Sequence, residues 1–297
     1  MPDDACAASP DDQSDAVSVP AGLVLVSTPI GNLGDVSTRA RETLAASDLI
    51  LCEDTRHSGH LFSALGIKAR TEPLHEHNED GRIGPVLALL RNGRRVALVS
   101  DAGTPLLSDP GFRLVRAAIA EGLPVSAVPG PNAALTALVL SGLPPVPFVF
   151  LGFPPPRSAA RRAGFGGLRA AERAGLAATL IWHEAPHRLA ETLADMATAF
   201  GARPAAVARE LTKRFEEVRR GSLPELAARY AAQPVRGEVT VLIGPPTRDD
   251  PEDLDGRLRA ALAMQSVKDA AALVAAATGL PRKVVYSRAL ELAAERG

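Results

Sequence analysis

From Leu23 onward the chain sets short, wholly apolar runs between amphipathic stretches, and this alternation narrows the choice of fold more than any other feature. Leu23-Val24-Leu25-Val26, Leu49-Ile50-Leu51-Cys52 and Val96-Ala97-Leu98-Val99 are too short for helices. They also lack the polar alternation of a strand with one wet face. They read as strands buried on both faces, with Pro124 to Val128 as a further one. Helical spacing falls at Val36 to Ala46, Ser58 to Leu65, Glu79 to Arg91, Phe112 to Ala120 and Asn132 to Leu140. Strand and helix in turn predict an α/β fold with a parallel sheet covered on both sides.

Leu143-Pro144-Pro145-Val146-Pro147 interrupts that rhythm and is read as a linker. The N-terminal α/β domain is therefore expected over 22–143 and a C-terminal α/β domain over 144–246. The second domain has strands at Phe148 to Leu151, Thr179 to Trp182, Ala206 to Ala208 and Val239 to Ile243. Its helices are expected at Arg161 to Ala174, Arg188 to Phe200 and Leu223 to Tyr230. Pro245-Pro246 and Asp249-Asp250-Pro251 mark a second break, followed by a small helical region over 247–297. There Ser266 with Asp269 caps one helix, Gly279 ends it and Pro281 opens the next.

At 297 residues and 46% hydrophobic, the chain has material for two cores. Residues 1–21 form an acidic tail expected to be disordered, with five aspartates and no Lys or Arg in its first twenty positions. The remainder is mildly basic, although the net charge is only -1. The tail has neither a basic nor an apolar segment of the signal-peptide kind. No apolar run approaches the roughly 20 residues that span a bilayer. Cys6 and Cys52 offer no disulfide or metal framework, which fits a reducing cytoplasm.

In an open parallel sheet, ligands bind beyond the carboxyl ends of the strands. The unusual residues cluster there. Ser27 to Asp35 follows the first strand and Glu53 to His57 the second. His75, His77, Asn78 and Glu79 follow a third, and Ser100 to Pro105 with Ser108 to Gly111 a fourth. Pro129 to Ala133 follows the fifth. Each turn alone is ordinary Gly/Pro chemistry, and neither a dinucleotide fingerprint nor a Walker A loop is present. Five such loops on one edge predict a cofactor site. His75 and His77 share a strand face but have no third ligand, so they read as a polar rim and no metal is expected.

Taken in order, these loops resemble the tetrapyrrole methylase superfamily. Within it they resemble the branch of small-subunit ribosomal RNA ribose 2′-O-methyltransferases. Thr28-Pro29-Ile30-Gly31-Asn32-Leu33, Glu53-Asp54-Thr55-Arg56, His75 to Glu79, Ser100 to Pro105, Ser108 to Gly111 and Pro129-Gly130-Pro131 carry the likeness. Glu184 to Arg188, Arg209 to Lys213 and Gly237-Glu238 continue it. The resemblance implies S-adenosylmethionine held between two α/β domains, a homodimer, and a target cytidine in small-subunit ribosomal RNA. It places Ile30, Asp101, Gly103, Thr104, Asn132, Ala133, Ala185, Leu211 and Thr240 at the cofactor.

Methylating a ribose hydroxyl asks for alignment and for a base or a stabiliser of the developing oxyanion. Glu184, His187 and Lys213 are the candidates, with Asp54 behind them; Glu184 stands first because it follows a strand. An ion pair of Glu184 with Arg188 or Arg209 is the structural alternative. RNA phosphate is expected to meet Arg56, Arg157, Arg161, Arg162 and Arg209, with Arg169 and Arg173 in the same Arg-rich helix. Lys268, Arg282, Lys283 and Arg288 offer a second grip. Two other readings compete: a tetrapyrrole C-methyltransferase, and a non-catalytic ribosome-assembly factor.

Overall fold

The computed structural model describes residues 21–246, 251–278 and 280–295. The acidic tail, the break at 247–250 and the Gly279 cap lie outside the described residues. The chain divides into two compact units between Pro131 and Asn132.

The first unit alternates strand and helix as the sequence predicts. In order it contains β1 (Gly22–Val26), α1 (Thr38–Ala45), β2 (Leu49–Cys52), α2 (Thr55–Leu65), β3 (Thr71–Pro73) and α3 (Glu79–Arg91). These are followed by β4 (Arg95–Leu98), α4 (Phe112–Ala120) and β5 (Val125–Val128). All five strands are parallel, in the order β3-β2-β4-β1-β5. Successive side chains point to opposite faces, so each apolar run feeds two cores. Leu23, Leu49, Leu51, Val96 and Leu98 pack under α3 and α4 with Val86, Leu90, Leu114 and Ala118. Val24, Val26, Ile50, Cys52 and Ala97 pack on the other face with Ala40, Leu44 and Phe62. Each such side chain contributes about 1.5–3 kcal/mol on burial, which is why no polar alternation is tolerated.

The second unit begins one helix earlier than the proline-rich break suggests. α5 (Ala133–Ser141) packs on the sheet of this unit, and Arg220 Nε donates to Ser141 O at 3.1 Å. β6 (Phe148–Phe150), α6 (Ser158–Arg173), β7 (Thr179–Glu184), α7 (Leu189–Phe200) and β8 (Pro204–Arg209) follow. β9 (Glu217–Ser222), α8 (Leu223–Ala232) and β10 (Val239–Ile243) complete the sheet, ordered β6-β7-β10-β8-β9. Only β6 and β7 run parallel; β10 is antiparallel to β7 and β8, and β8 to β9. The central strand β10 is buried along its whole length. A second core forms around Phe165, Trp182 and Phe200, whose rings meet at 5.5–6.3 Å.

Beyond this sheet lie α9 (Pro251–Leu262), α10 (Val267–Thr278) and α11 (Arg282–Ala294). Ser266 caps α10, accepting from Asp269 N at 3.2 Å, as the sequence predicts. Leu258, Val274, Val285 and Leu292 form the helices' own core. Arg288 is held by Asp255 at 2.6 Å and by Glu291 at 2.5 Å, so it ties α11 to α9 and is not a free RNA grip. Among the described residues no helix is long and apolar enough to cross a membrane.

Candidate active site

Because β1 to β5 are parallel, their carboxyl ends and the loops that follow lie along one edge of the first sheet. Two of these loops are welded together. Thr28 and Gly103 exchange both backbone hydrogen bonds, at 2.9 and 3.1 Å. Thr28 Oγ1 also donates to Ser100 O at 3.3 Å. The β5 loop is drawn in by Thr104 Oγ1, which donates to Pro131 O at 3.2 Å. Gly103 has φ +83°, and a Cβ there would sit 3.2 Å from Ile30 Cγ2 and 3.6 Å from Pro131 O. Only glycine gives this left-handed backbone without strain while leaving that space open. Asp101 reaches sideways and accepts from Asp54 N at 3.3 Å, while Asp54 caps α2 by accepting from Arg56 N at 2.8 Å. Asp54 is thereby committed to its own helix.

The same edge concentrates negative charge. Burial, together with Glu53 and Asp101, pushes the Asp109 carboxyl up to about 7. Glu53 is raised by burial and by the charges of Asp101 and Glu76. The loop that carries Asp109 is held in an uncommon conformation, with Leu106 at φ 72° and Ser108 at φ 75°. Such residues persist only where their surroundings dictate them. His75 and His77 lie edge to face at 6.1 Å, and among the described residues no three His, Cys, Asp or Glu are placed to hold a metal.

In the second unit, antiparallel pairing brings the start of β10 beside the ends of β7 and β8. Val239 lies opposite both Glu184 and Arg209, and Thr240 opposite His183. The segments around Ala185, Leu211 and Thr240 therefore share one end of the second sheet. Thr240 Oγ1 is 3.1 Å from His183 Nδ1, and burial lowers the His183 pKa. Leu211 is buried between Glu210 at φ 51° and Thr212 at φ 64°, and Thr212 Oγ1 is buried without a hydrogen-bond partner among the described residues. Asn132 caps α5, accepting from Leu135 N at 3.0 Å, next to Ala133.

Glu184 faces inward. Its carboxylate accepts from Ala185 N at 2.7 Å and Thr192 Oγ1 at 2.5 Å and pairs with Arg188 at 2.5 Å. The side chain is fully buried. This is the ion pair that competes with the catalytic reading. Lys213 Nζ is clamped by Glu210 at 2.9 Å and Glu238 at 3.1 Å. Burial opposes its charge, but hydrogen bonds and charges from the two glutamates outweigh that and hold its pKa above the usual value. His187 is exposed and, of the three, is the one not committed to an ion pair.

The Arg-rich helix needs a correction. Arg161 is 0% exposed: Asp195 and Glu191 pair with it at 2.6 and 3.0 Å, and the Pro155 and Pro156 carbonyls accept from Nη1. Nucleic acid cannot reach it. Arg169 is likewise buried, paired with Glu172, which also binds Arg203. The spacing carries this signal, since Arg161, Phe165, Arg169 and Glu172 recur at helical intervals along the buried face of α6. Arg157, Arg162 and Arg173 are exposed. Arg56 is exposed beside Asp54, and Arg209 pairs across the strands with Glu217 at 3.5 Å and donates to Arg236 O.

Residues 22–227 match the family of tetrapyrrole (corrin/porphyrin) methylases, and 248–293 match the RsmI C-terminal HTH domain. A ribosomal RNA small subunit methyltransferase I of Mesorhizobium japonicum is 48% identical over 275 residues, 91% of this chain and 92% of that one. One of the same name from Micromonospora olivasterospora is 48% identical over 92% of this chain and 88% of its own length. A uroporphyrin-III C-methyltransferase of Thermus thermophilus, solved with S-adenosyl homocysteine, superposes with a TM-score of 0.52 at 19% identity. That superposition covers 75% of this chain and 97% of the other, and it shows the fold alone.

Proposed function

The chain belongs to the tetrapyrrole methylase family, in its branch of ribosomal RNA small subunit methyltransferases I. From that premise we propose that it methylates the ribose 2′-hydroxyl of a cytidine in small-subunit (16S) ribosomal RNA, using S-adenosylmethionine. The observation that carries the reading is the edge of the first sheet, where Gly103 keeps open a space between Ile30 and Pro131 that a Cβ would fill. On this reading Ile30, Asp101, Gly103, Thr104, Asn132, Ala133, Ala185, Leu211 and Thr240 are the cofactor-contacting residues. When bound, S-adenosylmethionine supplies an electrophilic methyl group on a sulfonium.

The chain's own residues then position the hydroxyl and take up its proton. His187, exposed and paired with no carboxylate among the described residues, is the proposed acceptor. Lys213 stays charged between Glu210 and Glu238 and favours the developing oxyanion. Glu184 holds the first turn of α7, which fixes the loop carrying His187. RNA phosphate is met by Arg56, Arg157, Arg162 and Arg209. Arg162 and Arg173 line a cavity of about 440 Å³ on the α6 face. A homodimer working in the cytoplasm completes the proposal.

Ribose-methylation mapping of small-subunit RNA tests it. Cells lacking the protein should lose one cytidine 2′-O-methyl group and regain it on complementation. An unchanged map rejects the assignment.

A further inference from the structure

A cavity of about 510 Å³ opens on the first unit, lined by Glu76, His77, Asp109, Phe112 and Arg113 among others. We propose that it receives the base of the target cytidine, with the Phe112 ring stacked on the base and the Asp109 carboxyl reading its N3 and N4 edge. The inference rests on the cytidine-methylating reading above and names how that substrate is chosen.

The volume lies within the range of small-molecule sites. Phe112, the first residue of α4, is 59% exposed. The Arg116 guanidinium lies 5.7 Å from its ring centroid. An aromatic ring left in water beside a cavity is the usual platform for an unstacked RNA base. Among the described residues no hydrogen bond or ion pair reaches the Asp109 carboxyl; its neighbours Glu53 and Asp101 are both acidic. Burial and these acids raise its pKa to about 7, so a substantial fraction is neutral near pH 7 and below. A neutral carboxyl presents one O–H donor and one carbonyl acceptor side by side. Cytosine presents the complement, the N3 lone pair beside the N4 amino group.

The charges around the cavity favour a base over a phosphate. The acidic Glu53 and Asp101 lie close enough to act on Asp109, Glu76 shares its cavity, His75 acts on Glu53, and His77 is in the lining. Arg113, the cation in the lining, is already satisfied by Glu79 at 3.2 Å, Asp80 at 2.7 Å and Glu76 O at 3.0 Å. A phosphate would meet net negative charge there. An exocyclic amine is attracted by it, which sets cytosine apart from uracil with its O4 acceptor. The supporting loop is rigid. Gly111 has φ +113°, and a Cβ there would lie 2.6 Å from Leu98 Cδ2.

Single-turnover methylation of unmethylated small ribosomal subunits, at saturating cofactor from about pH 6 to about pH 9, tests the proposal. Asp109→Leu should lower the rate with limiting subunits about ten- to hundredfold. Phe112→Ala should lower it about tenfold. Asp109→Asn keeps one donor and one acceptor, so it should stay near wild type at low pH. Above about 7 the wild-type carboxyl loses its proton, and the wild-type rate should fall relative to Asn by about tenfold per pH unit. Affinity for S-adenosylhomocysteine, measured by calorimetry, should be unchanged in all three and reports folding. Equal rates for Leu and wild type overturn the proposal. So does an equal fall in Leu and Asn, or a ratio of wild type to Asn that does not vary with pH. If wild type itself leaves the ribose unmethylated, the underlying function fails, and this inference with it.

Discussion

The Glu184 carboxylate lies under the first turn of α7, where Arg188, Thr192 and the Ala185 N–H occupy its lone pairs. Replacing it by Gln removes the charge that faces Arg188 and leaves that guanidinium half-buried without its counterion. Glu184→Gln should therefore lower stability by about 1–3 kcal/mol, read as a lower Tm, while the chemical step in folded protein changes less than tenfold. A rate loss of about 10²–10⁴ at unchanged Tm would restore the carboxylate as the base. The sequence shows that Glu184 ends a strand, and strand ends face ligands in this architecture. It does not show which way the side chain turns, because that depends on Arg188 at the N-cap and Thr192 in the first turn of the next helix. Asp109 is a parallel case. Its loop is conspicuous in the sequence, but the burial and the neighbouring acids that raise its pKa are brought together only by the fold.

At the scale of elements, α6 separates two kinds of arginine. Arg161→Ala should cost about 3–5 kcal/mol, since it strands Asp195 against a buried face. Arg162→Glu together with Arg173→Glu should leave the melting temperature nearly unchanged. The pair should lower affinity for small ribosomal subunits and reduce its salt slope by about 2. Equal salt slopes for this pair and wild type would make α6 a solvated face. The strands are legible to different degrees for a physical reason. β1, β2 and β4 are buried on both faces and announce themselves as apolar runs. β3 is a three-residue edge strand, Thr-Glu-Pro, and β9 reads Glu-Val-Arg-Arg-Gly-Ser. Both are half-exposed edges whose pairing, rather than composition, makes them strands. The proline-rich break before β6 is likewise visible, whereas the allegiance of α5 is not, because its apolar surface suits any sheet.

At the scale of the whole molecule, the three C-terminal helices keep their own core and leave Arg282 and Lys283 exposed on α11. Reversing both charges to Glu should weaken subunit binding and lower its salt slope by about 2, with cofactor affinity intact. Unaltered binding would leave these helices as a packing unit.

The sheet order of the first unit has a further consequence, for synthesis of the chain. β1 emerges from the ribosome first yet ends in the interior of the sheet, between β4 and β5. Residues 27–94 must be translated before its first partner, Arg95 to Leu98, exists. At ordinary elongation speeds that leaves an apolar segment unpaired for roughly 4–15 s. The nascent chain must therefore shelter Leu23 to Val26 by local collapse or by a chaperone, and the unit closes only when β5 clears the exit tunnel. Slow translation through residues 27–94 would lengthen that exposure and lower the soluble yield, whereas slow translation once β5 has cleared the exit tunnel would not.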